Sequence, residues 1–488
     1  MQMHEIKKTA FFGLLWRGGN QIFKQIILFF VKIFLAKLLI PDEFGLAAMA
    51  FILISIFNLL NSIGIGPAFI RDDKFNRKRA ENTLFYLGLI PNILIALFTF
   101  FLAPVASAYF FSPANANYLT LIWMIRAVAL TRIFKIFSTV SLNALLKDLK
   151  FDKITISNVA GTIVYAITSI VLALMGYGAW SIVIAIILES FVIELFLFIF
   201  YPIMPKLIFD FKIAKDYIIF GYNYLVASII SIIVRNGDDV LIGHFVGVAG
   251  LGLYSLAQHI GGLVLNSITG VVNQVMFPLY CKLKNDKEVY CKSFIEVFEI
   301  STLFTIPAVF GIFALAKDFI NVFLTPSWMP MLGSLYILLI ASFFNNISTL
   351  TNPIFLSANK PEIIKYNRMY QFVFYLILIY PLTKYYGLIG ASIVMLVFAL
   401  VSITHFFLEM HKVMKLDYFA LFKAIFTRLF GSFFMLFIIY LSSFLVDGLF
   451  IFFVKIFFGV LSYFSIMYFI DRKSVMKIVG LINLRFLR

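Results

Sequence analysis

The sequence predicts an all-α integral membrane protein of about fourteen transmembrane helices, two six-helix lobes plus a C-terminal pair, around a central cavity. Three observations carry that prediction. The 488-residue chain is 62% hydrophobic with 60 Phe, and its mean hydropathy is +0.99. A water-soluble domain is about half apolar and could not hide this much apolar surface. Fourteen apolar stretches are long enough to cross a hydrocarbon layer of ~30 Å. An internal repeat, offset by about 207 residues, relates the first six stretches to the next six.

The elements run in order. The first stretch, 10–39, follows MQMHEIKK without a small-residue cleavage site, so it is expected to stay as a span. The others lie at 43–66, 83–108, 117–143, 154–175, 178–201, 216–245, 249–280, 293–316, 330–356, 366–383, 388–410, 419–441 and 448–470. The links between them alternate in character. RDDKFNRKR (71–79), KDLKFDK (147–153), KLIFDFKIAK (206–215), KLKNDKEVYCK (282–292), NKPEIIKYNR (359–368), HKVMKLDYFALFK (411–423) and the tail from Asp471 are basic. PDEF, YFFSPANANY, GYG, VGVAG, KDFINVFLTPSWMP, KYYG and SSFLVD are nearly bare.

Of the 40 Lys and Arg, 28 lie in the basic links or at Lys7 and Lys8, and only three belong to the bare set: Lys317, Lys384 and Lys37, which stands beside the first bare link. The positive-inside rule and the even span count both place the two termini in the cytoplasm. The net charge of +16 is thus a topology signal and a contact for membrane lipids, and nucleic acid is not the expected partner. No link has room for a soluble catalytic domain, so enzyme activity is not expected. Cys281 and Cys291 fall in or beside a cytoplasmic link, where thiols stay reduced, and no disulfide or metal site is expected.

The repeat rests on four ordered matches. FGLAAMAF (44–51) resembles LGLYSLAQ (251–258), and YGAWSIV (177–183) echoes YGLIGASIV (386–394). Lys150 and Asn158 are matched by Lys360 and Asn367. Six spans per copy is even, so both copies have the same orientation, the parallel-repeat case. The division expected is 1–205, 206–411 and an appended 412–488.

Several stretches resemble one family. LAKLLIPDEFGLAAMA (35–50), FIRDDKFNRKRAENTLFYLGL (69–89), LNALLKDLKFDKITISNVAG (142–161), YGAW (177–180), RNGDDVLIGHFVGVAGLGLYSLAQHI (235–260) and QVMFPLYCKL (274–283) are similar to bacterial polysaccharide exporters of the MOP flippase superfamily. The resemblance covers most of the first 290 residues and thins out beyond them. It implies a two-lobed fold with a cationic central cavity in the bacterial inner membrane. The implied activity is transport of undecaprenyl-pyrophosphate-linked oligosaccharide to the outer leaflet for O-antigen, capsule or exopolysaccharide. Polysaccharide polymerase and chain-length proteins are the implied partners.

Nine Lys and Arg lie inside spans. Each costs ~2.5–3.5 kcal/mol at a helix centre, so such residues normally face a cavity or a partner. Arg17 and Lys24, two turns apart, share a helix face. With Arg126, Arg132 and Arg235 they are the candidate cradle for a pyrophosphate, while Lys32 and Lys135 can snorkel to a surface. Glu189, Asp238 and Asp239 are candidates for coupling transport to H⁺ or Na⁺, with no other cofactor. A local ion pair of Arg235 with Asp238 or Asp239 is the plainer reading of those two acids. Two alternatives stay open: a multidrug cation antiporter of the same superfamily, and a membrane polysaccharide polymerase or ligase.

Overall fold

The computed structural model describes residues 24–57, 65–72, 74–283, 286–358, 360–414, 418–442, 448–472 and 476. Within 220–235 and 263–275 it describes the backbone only. Among the described residues there are helices and no strands. They are α1 (24–38), α2 (Pro41–Phe57), α3 (Ile65–Arg71), α4 (Arg77–Phe110), α5 (Ala116–Lys147), α6 (Phe151–Leu174), α7 (Ala179–Phe200) and α8 (Phe211–Phe245). There follow α9 (Val248–Leu283), α10 (Lys287–Phe323), α11 (Leu332–Thr349), α12 (Asn352–Ser357), α13 (Pro361–Val413), α14 (Tyr418–Ser442) and α15 (Leu449–Ile470). Eight helical segments among the described residues are long and apolar enough to cross a membrane. Their outer faces are apolar too, with Phe101, Phe422 and Phe469 exposed. In a bilayer those rings meet lipid, and helices satisfy every backbone polar group internally.

The helix ends follow capping chemistry. Asn76 caps α4 by accepting from the N–H of Lys78 and Arg79, Asp210 caps α8, and Asp286 caps α10 the same way. α2 opens on Pro41, a residue that lacks the N–H a first turn cannot use. Glu43 reaches back 3.0 Å to the N–H of Ile40, half of a capping box. α13, at 53 residues, would be ~80 Å long if straight. It is two membrane segments joined at Gly387, whose φ of 55° and ψ of −129° are not helical.

The chain divides into two compact units, Met1–Ser255 and Leu256–Arg488. In the first, α4 packs on α5 and α6 on α7, and α8 lies against α2, α3 and α4. Its core includes Phe69, Leu84, Phe85, Val140 and Tyr217. Because α8 belongs to this unit, the compact division falls inside α9, later than the repeat boundary near residue 206. In the second, α11 packs on α13, and α10 carries the appended α14 and α15. Phe294, Phe298, Phe355, Phe406 and Met410 fill one core there. Leu303, Met435, Phe452, Tyr463 and Met467 fill another. Gly431 and Gly459 let α14 and α15 approach closely.

The repeat is written in the backbone. Gly178, before α7, has φ 54° and ψ −133°, nearly the values at Gly387, 209 residues later. Only glycine enters that region readily. Asn76 and Asp286, 210 residues apart, cap equivalent helices, and Lys150 and Lys360 precede equivalent starts. The equivalent segments of α2 and α9 also touch within the first unit. A Cβ at Gly45 would stand 1.8 Å from the Val248 carbonyl oxygen, and one at Gly252 would stand 1.9 Å from that of Pro41. Pro41 matches Val248 and Gly45 matches Gly252 at one offset, 207 residues. The contact is therefore reciprocal, as at a two-fold axis.

Candidate functional site

The first unit holds a cluster of charges on its membrane helices. α7 carries Glu189 and Glu194, five residues apart, so they point to different neighbours. Glu189 accepts from Lys24 Nζ of α1 at 3.0 Å. The sequence places no acid within the first span, yet Lys24 has a partner 165 residues away. This pair joins a residue expected to hold pyrophosphate to one expected to couple an ion. Glu194 accepts from the Ser138 hydroxyl of α5. Arg132, 6% exposed, lies on α5 close enough to Glu194 to interact electrostatically, as does Lys135. Its Nε and Nη1 have no hydrogen-bond partner. A buried donor without a partner is costly in apolar surroundings, which makes Arg132 a strong attractor for an oxygen.

The other expected residues sit apart. Arg126 stacks over Phe100 at 4.6 Å and Trp123 at 5.3 Å, rings that are themselves exposed. Asp238 of α8 is buried and accepts from the Tyr254 hydroxyl at 2.9 Å. Asp239 follows it, and one of its oxygens is buried without a hydrogen bond. Arg17 and the side chain of Arg235 lie outside the described residues. The cations of the appended helices are held structurally: Arg428 pairs with Asp471 at 2.8 Å, and Lys455 with Asp318 at 2.7 Å.

The basic links of the first unit form a second network, which spacing alone did not reveal. Arg77 makes a bidentate pair with Asp148 at 2.7 and 2.8 Å and reaches Glu81 at 2.9 Å. Tyr201 donates to Glu81 at 2.7 Å. The Arg77 guanidinium holds the Asp148 carboxyl below the usual carboxylate range. Asp72 accepts from Tyr217 at 2.6 Å and from the N–H of Lys74 and Phe75. Burial pushes Asp72 up, but those donors and Lys147 outweigh it and hold it low. Lys147 donates to the carbonyls of Phe69 and Asp72. The motif around residues 69–89 is thus a clasp between helix ends. Its only sequence signal is the density of charge.

The all-helical architecture has likenesses among solved structures. It resembles the lipid II flippase MurJ in an inward closed conformation, with a TM-score of 0.77, 16% identity and coverage of 94% of this chain and 99% of MurJ. An inward-facing multidrug MATE transporter of the MOP superfamily matches with a TM-score of 0.64 and 15% identity, over 80% of this chain and 95% of its own. These likenesses identify the fold alone, the all-helical one shared with MurJ and the MATE transporter. The family profile described as polysaccharide biosynthesis protein matches residues 34–333, and this chain belongs to that family. The succinoglycan biosynthesis transport protein ExoT of Rhizobium meliloti is 22% identical over 62% of this chain, and the match spans 60% of ExoT. The lipopolysaccharide biosynthesis protein WzxC of Escherichia coli is 19% identical over 70% of this chain and 68% of its own.

Proposed function

We propose that the protein is a flippase of the bacterial inner membrane. It moves oligosaccharide repeat units on undecaprenyl pyrophosphate from the cytoplasmic to the outer leaflet, for surface polysaccharide, with both termini in the cytoplasm. Family membership and the MOP fold support the class. The observation that carries the substrate is the charge inside the first unit. Along α1, α5 and α7, short of Lys37 and Lys147 at their C-terminal ends, Lys24, Lys32, Arg126, Arg132 and Lys135 stand against Glu189 and Glu194, and Arg132 keeps two donors without partners.

A pyrophosphate cannot cross hydrocarbon alone, and several moderate cationic contacts replace its hydration without trapping it. Lys24 exchanges Glu189 for phosphate oxygens as the head group passes. Moving two negative charges outward gains ~4–5 kcal/mol per 100 mV of inside-negative potential. Glu189, released from Lys24, would then couple export to H⁺ or Na⁺. Transport proceeds by alternating access. Polymerase and chain-length proteins would receive the product.

The test uses cells lacking their own exporter but making the matching repeat unit. They are complemented with the wild-type chain, Lys24→Ala or Arg132→Ala at equal membrane abundance. Wild type should restore surface polymer, and the variants should accumulate lipid-linked repeat units on the inner leaflet. A wild-type chain that exports nothing while extruding organic cations would sink this reading in favour of a multidrug antiporter.

A further inference from the structure

The link between α7 and α8, residues 201–210, has an unusual combination of properties: Tyr201 and Ile203 pack on the core and its backbone is tightly fixed, yet other apolar side chains face away from the protein. Its backbone is tied at several points. The Tyr201 carbonyl accepts from Ser141 at 2.7 Å, and the Lys206 N–H donates to Asn82 at 2.7 Å. Tyr86 donates to the Lys206 carbonyl at 3.1 Å, and the Asp210 N–H donates to Thr83 at 3.1 Å. The Phe209 ring meets the edge of Tyr86. Despite these ties, Met204 and Leu207 are 88% and 96% exposed, and Phe211, the first residue of α8, is 81% exposed. A segment held this firmly cannot fold those side chains inward, so something outside the chain covers them.

Position and charge identify the cover. The link is bonded to the first turns of α4 and runs into the first turn of α8, where membrane helices begin. That level is the headgroup layer of a bilayer. Lys206, Lys212 and Lys215 are exposed and interleave with the apolar residues. Asp210, the acid among them, is turned inward to cap α8 through the N–H of Lys212 and Ile213. Apolar residues that insert shallowly, alternating with lysines, suit a leaflet of anionic phospholipid.

We propose that this link is a membrane anchor: Met204, Leu207 and Phe211 dip into the acyl boundary while Lys206, Lys212 and Lys215 bind anionic headgroups. The anchor fastens the first unit to one leaflet at the junction of the two sequence repeats. It stands apart from the transported substrate and does not depend on the flippase reading.

The test needs no transport. Full-length protein carrying Cys281→Ser, Cys291→Ser and Leu207→Cys is labelled with an environment-sensitive fluorophore and reconstituted in liposomes. Vesicles contain phosphatidylcholine alone or mixed with phosphatidylglycerol. The expected result is blue-shifted emission, quenched by lipids spin-labelled high on the acyl chain and shielded from aqueous iodide. Both effects should grow with phosphatidylglycerol. Adding Lys206→Gln, Lys212→Gln and Lys215→Gln should erase the difference between the two lipids. Leu207 and the three lysines are exposed, and gel-filtration elution of the cysteine-free protein checks its folding. A probe at Leu207 quenched by iodide and untouched by spin-labelled lipid would overturn the anchor and leave the patch to a protein partner. Lipid quenching indifferent to phosphatidylglycerol and to the lysines would overturn the headgroup half of the proposal.

Discussion

One contact occurs in both copies of the repeat, with different chemistry in each. In the first unit Ser138 bonds Glu194, with Arg132 and Lys135 beside them. In the second, Ser348 accepts from Ser402 at 3.1 Å, and Asn367 donates to Ser402 at 3.1 Å. Ser138 and Ser348 are 210 residues apart, and Glu194 and Ser402 are 208 apart. The position of Lys135 is filled by Asn345. The helix contact survives in both copies, while the charge is confined to one. The difference teaches that packing needs only a polar bridge here, so the ions of the first unit answer to something other than folding.

The largest effect tests that asymmetry directly. Glu194→Leu leaves Arg132 and Lys135 without their acid and should destabilise the protein by about 3–5 kcal/mol. Ser402→Ala, its counterpart, should cost about 1 kcal/mol. Thermal unfolding in detergent measures both, and equal losses would break the comparison. Next come the paired glycines. Gly178→Ala and Gly387→Ala should each cost about 1–3 kcal/mol from backbone strain. The first should cost more, because its Cβ would meet a Glu43 oxygen at 2.4 Å. A silent Gly387→Ala would show that the second copy has relaxed.

Exchanging Lys24 and Glu189, as Lys24→Glu with Glu189→Lys, should change stability by under ~1 kcal/mol, because Lys24 is partly exposed. Restored stability with lost export would separate a binding role for Lys24 from an architectural one, and restored export would make the pair architectural. The smallest effect is at the clasp. Asp148 has its folded pKa depressed by Arg77, so its contribution is complete above the ordinary carboxylate pKa of about 3.9 and fades as pH falls through the lowered value. Asp148→Asn should lower stability at neutral pH by under ~1 kcal/mol, where that contribution is complete, and flatten the acid limb of a stability profile below about pH 4.

Much of the fold was legible in the sequence. Long apolar runs have one solution in a bilayer, so the helices and their order followed from composition. The repeat was visible through YGAW and YGLI because glycine at those positions is dictated by the backbone. The charged site was only half legible. Lys24 and Arg132 stood out because a cation in an apolar run is expensive wherever it lies. Their neighbours did not, since Glu189 and Glu194 reach them from a helix more than fifty residues further along. The clasp of Arg77, Asp148, Glu81 and Tyr201 was hidden for the same reason. Its residues look like ordinary basic-link composition until three separate helix ends are brought together.

Gly178 and Gly387 also have a consequence for the gene. Every codon that begins with two guanines specifies glycine, whatever the last base. At these two positions drift is therefore silent at the third base, while a change at either of the first two puts a side chain where the backbone admits none. Nucleotide comparison of the two halves should find those paired codons agreeing in their first two bases, even where the flanking codons have diverged beyond alignment.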